Sequence, residues 1–399
     1  MTAPDTEFKI PFSRQDDSLP TTPLTREMYT SPEWHQRDLE RVFMRRWLFA
    51  GHASQISRPG EFFTFELGDD SVIVSRTSSG ELSAFHNVCR HRGTRLCEER
   101  SGQAKNFRCP FHGWSYGLDG SLKLAPKMPA EFDKKQFPLK RVWLEEWEGL
   151  IFLNLSPEQP TRSVAESLAT IDLSAYQLPR TKVIADVVYE IESNWKIAGE
   201  TFQECYHCAI THPELCRIIE PMTDLEEWEE AGTADASGEA DYLIWTPDIG
   251  PGMRAGARTF SHDGQFVSKR LLGSGETEPP CAALSWFPHL GFFVQPDYAV
   301  TTSWLPASPT TSLFRSTWVV HEDAVEGVDY DVDNVIHLID VTNEEDKELC
   351  RLVQLGVNSS GFDNSAPYQP QLEAPVRGFL RSYLDHVDAD RTHILGGNR

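Results

Sequence analysis

The chain has 399 residues, a formal net charge of −23 and eight cysteines. This length exceeds what one hydrophobic core usually organises, so two domains are expected, and the acidic charge disfavours non-specific binding to nucleic acid or anionic membranes. The sequence has neither an apolar run of roughly eighteen residues nor an apolar N-terminal segment typical of secretion. We therefore expect a cytoplasmic protein whose thiols serve metals or cores rather than disulfides.

Residues 1–48 are predicted to form a polar N-terminal arm and a helix that packs with the C-terminal domain. Ser31 is the expected N-cap and Pro32 the first helical residue, and the helix should reach about Trp47. Residues 49–160 form a second region of short β-strands that ends in a proline-containing linker. Asp119-Gly120 is its expected hairpin turn, and its predicted strands are 62–67, 71–75, 82–88 and 150–155.

The remaining region, residues 161–399, is predicted to begin with a strand at 182–192 and a helix at 194–212. The acidic run 226–241 is typical of a solvated loop or a lid. Further strands are expected at 258–268, 285–295, 298–305 and 312–320, and two closing helices at 331–355, capped by Gly356, and 372–387. This order predicts an α+β chain whose second domain is an antiparallel sheet covered by helices.

Two clusters, Cys89-x-His91 and Cys109-x-x-His112, carry the strongest chemical signal. Two thiolates and two imidazoles could hold a zinc ion, but structural zinc sites usually space their ligands C-x₂₋₄-C and H-x₃₋₅-H. A Rieske-type [2Fe–2S] cluster uses two Cys on one iron and two His on the other. The pattern therefore favours a Rieske domain with the fold of a β-sandwich. Cys97 has no partner in the second loop, so we interpret it as a small packed residue.

A second metal site is predicted around His207 and His212. The two residues are five apart, which puts them about 140° apart on an ideal helix, so a distortion must fall between them. Two His and one carboxylate form the facial triad of non-haem Fe(II) oxygenases. The best candidate for the carboxylate is Asp346, and Glu345 is its nearest rival.

Glu204 lies three residues before His207, on the same helical face. We interpret it as an electron-transfer bridge that hydrogen-bonds a Rieske histidine of a neighbouring subunit. A surface carboxylate, or a partner that orients His207, is the alternative interpretation. Cys205-x-x-Cys208 has the spacing of a thioredoxin-like pair, but it interrupts the iron helix and lacks the βαβ setting of such pairs.

These motifs, together with Asn194-Trp195-Lys196, Cys350 and Gln354-x-Gly356, resemble the α-subunits of Rieske non-haem iron oxygenases, the ring-hydroxylating dioxygenase superfamily. The resemblance covers nearly the whole chain. Residues 204–208 and 319–330 are most similar to the branch acting on quaternary ammonium compounds, in particular the glycine betaine monooxygenases. This resemblance implies a homotrimer with a helix-grip (START-like) catalytic domain and a separate flavin/ferredoxin-type reductase that delivers electrons from NAD(P)H.

The resemblance also implies hydroxylation of an N-methyl group, which releases formaldehyde and the demethylated amine. A trimethylammonium group has no N–H to donate, so aromatic faces must recognise it. Candidate substrate contacts are Tyr206, Trp286, Phe287, Phe293 and Tyr298, with His289, Arg254 or Lys269 as possible carboxylate donors. Two alternatives stay open: oxidation of another small amine or an aromatic ring, and a non-catalytic Rieske electron carrier.

Overall fold

The computed structural model describes residues 20–169, 171–220, 242–245, 252–271, 279–370 and 372–387, with backbone alone for 242–245. The acidic run 226–241 and residues 1–19 of the predicted arm lie outside the described residues. Contacts divide the chain into two compact units. Residues 43–171 form one unit, and the described parts of 1–42 and 172–399 form the other.

Short antiparallel strands build the unit of residues 43–171. They are β1 (Leu48–His52), β2 (Glu61–Leu67), β3 (Asp70–Arg76), β4 (Leu82–His86), β5 (Ser101–Gln103), β6 (Phe107–Arg108), β7 (Ser115–Tyr116), β8 (Leu122–Leu124), β9 (Trp143–Trp147) and β10 (Leu150–Asn154). The sheets have the orders β1-β10-β9, β4-β3-β2-β5 and β6-β7-β8. A one-turn helix, α3 (Val164–Ser167), follows the last strand.

The four strands predicted in this unit are confirmed, with shifts of one or two residues at their ends. The predicted turn at Asp119-Gly120 is confirmed between β7 and β8, where Gly120 has a φ of +76° that favours glycine. The Oδ1 atom of Asp119 accepts a hydrogen bond of 3.1 Å from the backbone N–H of Ser121. Such a side-chain bond to the backbone two residues on is what makes Asp a turn residue.

One hydrophobic core in this unit includes both cysteines of the predicted cluster site. Cys89 and Cys109 are buried among Phe62, Phe85, Phe107 and other apolar side chains. Phe107 makes edge-to-face contacts with Phe62 and Phe85 at ring-centroid distances of 5.3 and 5.6 Å. Because interiors are close-packed, this core fixes the bases of the two ligand loops.

The second unit contains a six-stranded antiparallel sheet, which confirms the predicted α+β fold. Its order is β11-β16-β15-β14-β13-β12, with bounds β11 (Thr181–Ile191), β12 (Tyr242–Trp245), β13 (Ala282–Trp286), β14 (Leu290–Val294), β15 (Tyr298–Ser308) and β16 (Thr311–His321). The single strand predicted at 285–295 is wrong, because a turn with a cis Phe287–Pro288 bond separates β13 from β14. The strand predicted at 258–268 is also wrong, since that segment consists of turns and bends.

The helices of this unit are α1 (Arg26–Thr30), α2 (Pro32–Arg41), α4 (Trp195–Phe202), α5 (Cys208–Thr211), α6 (Val332–Asn358) and α7 (Ala374–Val387). Ser31 caps α2 as predicted, since its side chain accepts a hydrogen bond from the N–H of Trp34. Two predicted ends are wrong. The helix α2 stops six residues before Trp47 because a 3₁₀ turn and β1 follow it, and α6 continues past Gly356, whose carbonyl accepts the N–H of Ser359. None of the described helices is long and apolar enough to cross a membrane.

A buried ion pair joins α2 to α4. Asp38 and Lys196 both have fully buried side chains, and their charged groups are in direct contact. The Asp38 carboxylate also accepts hydrogen bonds of 2.8 Å from the Trp195 indole and from the Tyr383 hydroxyl on α7. Burial lowers the pKa of Lys196, and the neighbouring Asp38 carboxylate opposes that effect. The Asp38 carboxylate therefore links the three helices α2, α4 and α7.

Replacing Lys196 by Met should destabilise the protein by about 3–5 kcal/mol, because the Asp38 charge would stay buried without its partner. Lys347→Met is the matched control, since Lys347 forms an exposed pair with Glu344 and such pairs contribute about 1 kcal/mol or less. The free energies of unfolding in urea measure both changes. Equal, small losses in the two variants would contradict a structural role for the buried pair.

Candidate metal centres

Two loops with the same backbone geometry present the first four candidate ligands. In residues 89–94 the N–H of Cys89 donates to Thr94 O at 2.8 Å and the N–H of Gly93 donates to Cys89 O at 3.0 Å. Residues 109–114 repeat both bonds, with Trp114 O and Gly113 N–H in the same places at 2.7 and 3.1 Å. Gly93 and Gly113 have φ angles of +75° and +73°, which other residues rarely adopt.

The four side chains separate into a buried and an exposed pair. The thiols of Cys89 and Cys109 are 2% exposed, whereas His91 and His112 lie at the surface with their ring centroids 4.6 Å apart. The Trp114 ring stacks on His91 at 4.9 Å. Two thiolates inside and two imidazoles outside fit a Rieske [2Fe–2S] cluster, in which each pair of ligands holds one iron.

Hydrogen bonds to the sulfurs prepare these thiols for metal binding. Burial raises the pKa of Cys109, but the backbone N–H groups of His112 and Phe111 outweigh it and hold the pKa below its usual value. The Tyr116 hydroxyl lies 3.4 Å from the Cys89 sulfur and accepts the N–H of Arg90 at 3.0 Å. Cys97 is free and buried, as expected of a packed residue. Burial and its contact with Glu99 raise the pKa of its thiol to about 11.

In the other unit the structure brings together His207, His212 and Asp346. The Nε2 atoms of the two imidazoles are 3.1 Å apart, and Asp346 Oδ1 lies 3.3 Å from the first and 3.1 Å from the second. His207 and His212 flank the one-turn helix α5, and Asp346 comes from the long helix α6. The continuous helix predicted for 194–212 is wrong: it breaks before His207, at 203–207, rather than between the two histidines. Gln203 donates to Ser285 at 2.8 Å at this break.

Two carboxylates behind the imidazoles set their tautomers. His207 Nδ1 is 2.5 Å from Glu204 Oε1, and His212 Nδ1 is 2.8 Å from Glu345 Oε2. Each Nδ1 therefore carries the hydrogen, so both Nε2 lone pairs face the centre of the triangle. Asp346 Oδ1 is buried there and accepts no hydrogen bond. Three lone pairs that converge on one point need a cation, and two imidazoles with one carboxylate are the donor set of a non-haem ferrous site.

The charges around the triangle shift the pKa values of its members. Burial lowers the pKa of His207, but the Asp346 and Glu204 carboxylates outweigh burial and raise it to about 10. The pKa of His212 is raised in the same way by Asp346 and Glu345 against the effect of burial. Burial raises the pKa of Asp346, and the two imidazoles lower it below the usual value. The surroundings of the two Nε2 atoms therefore favour a positive charge, whether a metal ion or a proton carries it.

Glu345, the rival ligand, lies behind His212 instead of in the triangle. Glu204 contacts His207 through its carboxylate and also accepts the backbone N–H of Tyr206. These contacts match the alternative interpretation of Glu204 as a partner that orients His207. The bridge to a neighbouring subunit stays a prediction, and so does the assignment of the three iron ligands.

Comparisons with known proteins identify the family of this chain. Residues 46–144 match the Rieske [2Fe–2S] domain, and residues 178–389 match the ring hydroxylating alpha subunit (catalytic domain). The glycine betaine monooxygenase oxygenase subunit of Pseudomonas aeruginosa is 31% identical over 395 residues, which cover 93% of this chain and 91% of the relative. The corresponding subunit of Chromohalobacter salexigens is 32% identical over 418 residues, covering 96% and 90%.

The chain belongs to the ring-hydroxylating α-subunit family of Rieske oxygenases. Its fold is similar to that of the quaternary ammonium Rieske monooxygenase CntA in complex with L-carnitine, with a TM-score of 0.73, 21% identity and coverage of 94% of this chain and 97% of that one. The predicted family is thus confirmed. As a Rieske oxygenase component, this oxidoreductase uses a [2Fe–2S] cluster and a mononuclear iron and depends on a reductase.

In this Rieske oxygenase a cavity of about 160 Å³ opens beside His207, His212 and Asp346, the predicted iron triangle. Its walls are mainly apolar and include three aromatic rings, those of Phe202, Phe260 and Phe293. Of the proposed substrate contacts only Phe293 lines it. The structure places Trp286, Phe287, His289 and Tyr298 in the buried core and leaves Tyr206 55% exposed. Neither Arg254 nor Lys269 is among the described lining residues.

Sequence reasoning missed Phe202 and Phe260. Phe202 lies two residues before Glu204, so its distance from the iron segment was a usable signal. Phe260 lies in the segment wrongly predicted as a strand, and because that segment has no regular structure its alternating pattern does not indicate which side chain faces the cavity. His289 is deeply buried, and burial lowers its pKa to about 3, which excludes it as a charged donor.

The structure joins Cys205 and Cys208 in a disulfide, with Cα atoms 4.9 Å apart. The expectation that the thiols serve only metals and cores is wrong for this pair. The interruption of the helix at 203–207 allows Cys205 and Cys208 to approach each other. Their Cα separation is within the usual range for a disulfide. Both cysteines line the cavity beside Glu204 and His207.

Replacing Asp346 by Asn should remove the mononuclear iron, because the only anionic one of the three converging donors is lost. The cluster should stay intact, because its four candidate ligands lie in the other unit. Iron analysis should then fall from about three to about two irons per chain, with an unchanged visible spectrum of the cluster. Glu344→Gln, on the exposed side of the same helix, is the control and should keep all three. If the Asp346 variant retained the third iron, Glu345 rather than Asp346 would be the carboxylate ligand.

Proposed function

We propose that this Rieske oxygenase hydroxylates an N-methyl group of a quaternary ammonium substrate resembling glycine betaine. The products would be the demethylated amine and formaldehyde. The observation that carries the proposal is the aromatic cavity beside the converging His207, His212 and Asp346 side chains. Similarity to glycine betaine monooxygenase subunits over more than nine-tenths of the chain supports the same substrate class.

The cavity suits a cation that cannot donate hydrogen bonds. Phe202 and Phe293 have ring centroids 5.4 Å apart, and Phe260 lies 6.3 Å from Phe293. A trimethylammonium group against such faces gains about 0.5–2 kcal/mol per ring. No Lys or Arg occurs among its described lining residues, so no cationic side chain there opposes the charge of the substrate. Both features favour a positively charged ligand.

A betaine carboxylate must be bound by neutral donors if the described lining is its environment. Ser285 and Asn343 supply a hydroxyl and an amide group in the cavity wall, whereas the hydroxyls of Thr201 and Thr342 already donate to backbone carbonyls of their own helices. Neutral donors give less electrostatic attraction than a guanidinium or ammonium group. The cationic end of the substrate therefore dominates recognition, and substrates without a carboxylate are expected to bind as well.

His207, His212 and Asp346 would hold the ferrous ion, and Cys89, His91, Cys109 and His112 would hold the cluster. When bound, the two groups supply the activation of O₂ and the electrons that hydroxylation of a C–H bond requires. The chain's own part is to keep both imidazoles aimed through Glu204 and Glu345. Its apolar cavity walls exclude water and place the N-methyl group beside the iron ligands.

Electron delivery would run through Glu204 in a homotrimer. Its carboxylate holds the Nδ1–H of His207 at 2.5 Å, so the residue already touches one iron ligand. An accepting oxygen directed at a Rieske histidine of a neighbouring subunit would complete a hydrogen-bonded path. The electrons would come from NAD(P)H through a flavin/ferredoxin-type reductase, in line with the relatives being oxygenase subunits.

Oxygen uptake and formaldehyde release test the proposed reaction. Purified protein with a generic reductase and NADH is offered glycine betaine, carnitine, choline and benzoate in turn. We expect substrate-dependent O₂ consumption with equimolar formaldehyde from at least one N-methyl compound, and none from the Asp346→Asn control. Formaldehyde from no N-methyl compound would contradict N-demethylation, and turnover of benzoate alone would favour a ring hydroxylase.

Glu204→Gln should keep both metal centres and lose turnover by about tenfold or more, because the amide keeps the bond to His207 but removes the charge from the electron path. Glu345→Gln is the matched control, since it makes the same change behind the other imidazole. With a pre-reduced cluster, substrate and O₂, the Glu204 variant should re-oxidise the cluster slowly and the Glu345 variant at nearly the normal rate. Equal rates in both would show that Glu204 only orients His207.

A further inference from the structure

Outside the iron triangle, a second group of metal-ligating side chains meets at the surface of the same unit. Glu214, His262 and His337 offer three donor atoms that all lie within 4.8 Å of one another. We propose that they form a separate binding site for a divalent transition metal ion such as Zn²⁺. The site does not depend on which substrate the oxygenase uses.

The distances fit one shared ion. Glu214 Oε2 lies 2.9 Å from His337 Nε2 and 3.8 Å from His262 Nδ1, and the two imidazole centroids are 5.6 Å apart. Ligand bonds of about 2.0–2.1 Å in a tetrahedral zinc site put the ligand atoms about 3.4 Å apart, a value between the two distances. A separation of 3.8 Å is too long for a hydrogen bond, so hydrogen bonding to Glu214 does not explain the position of His262.

The donor types select the kind of ion. Two imidazoles and one carboxylate suit zinc, copper, nickel or ferrous iron, whereas Ca²⁺ and Mg²⁺ prefer oxygen ligands alone. The side chains are 30% (Glu214), 67% (His262) and 39% (His337) exposed. An ion from solution can therefore reach them without unfolding, and water can complete its coordination.

The three ligands come from three segments that also form the cavity. Glu214 follows the iron ligand His212 by two residues, and His337 lies on α6 ahead of Asp346. His262 belongs to the segment 252–271, which contributes Phe260 to the cavity wall. A bound ion would cross-link this irregular segment to the iron-carrying elements. It would raise thermal stability, because it binds the folded chain and not the unfolded one.

Calorimetric titration of the iron-loaded full-length protein with zinc chloride tests the site. We expect one zinc per chain beyond the iron, a rise in the melting temperature, and an unchanged iron content. His262→Ala and His337→Ala should each weaken zinc binding by more than about tenfold and abolish the stabilisation. His86→Ala is the control, because His86 contacts a carboxylate, Asp70 at 3.4 Å, without a second imidazole.

Glu214→Gln provides a further variant that keeps a hydrogen-bond acceptor for His337 while it removes the ligand charge. It should also weaken zinc binding and leave the visible spectrum of the cluster unchanged, which verifies folding. Equal zinc affinity in all variants, or no zinc binding at millimolar concentration, would overturn the proposal. Loss of iron in step with zinc uptake would do so too, because zinc would then occupy the iron ligands.

Discussion

Three lone pairs aimed at one point are the constraint around which the catalytic unit is built. The Nε2 atoms of His207 and His212 and the Oδ1 atom of Asp346 lie 3.1–3.3 Å apart. Without a positive charge between them these atoms repel one another, and burying them unpaired costs free energy. Glu204 and Glu345 fix the orientation of the two imidazoles, because each carboxylate accepts a hydrogen bond from the Nδ1–H group of its histidine. The local sequence is therefore organised to aim these donor atoms at one point.

Rigid elements hold this costly arrangement in place. Asp346 sits in the middle of the 27-residue helix α6, whereas the histidines flank the one-turn helix α5, which follows the helix break at 203–207. The preceding helix α4 is fixed by the buried Lys196 pair with Asp38. A fixed helix on one side and a long helix on the other leave the short segment between them little freedom. Precision at the metal centre thus depends partly on elements such as α4 that contribute no ligand.

Much of both centres could be predicted because their chemistry is local. Each cluster loop contains its Cys, His and turn-forming glycine within six residues, so spacing alone identified it. Asp346 and Glu345 are adjacent, about 100° apart on a helix, and only the packing of α6 against His212 decides between them. At the helix break Gln203 contacts Ser285, which is 82 residues away in the chain, and local sequence does not indicate such a contact. Cavity walls were least predictable, since aromatic residues such as Trp286 and Phe293 look alike in sequence and face different surroundings.

The raised pKa values at the iron triangle have a consequence for how the apoprotein takes up metal. At neutral pH a metal-free His207, with its pKa of about 10, carries an extra hydrogen ion. Ferrous loading must expel it, so reconstitution in weakly buffered solution should acidify the medium. The measured heat of loading would then vary with the ionisation enthalpy of the chosen buffer, and comparisons of iron affinity between laboratories would require a common buffer.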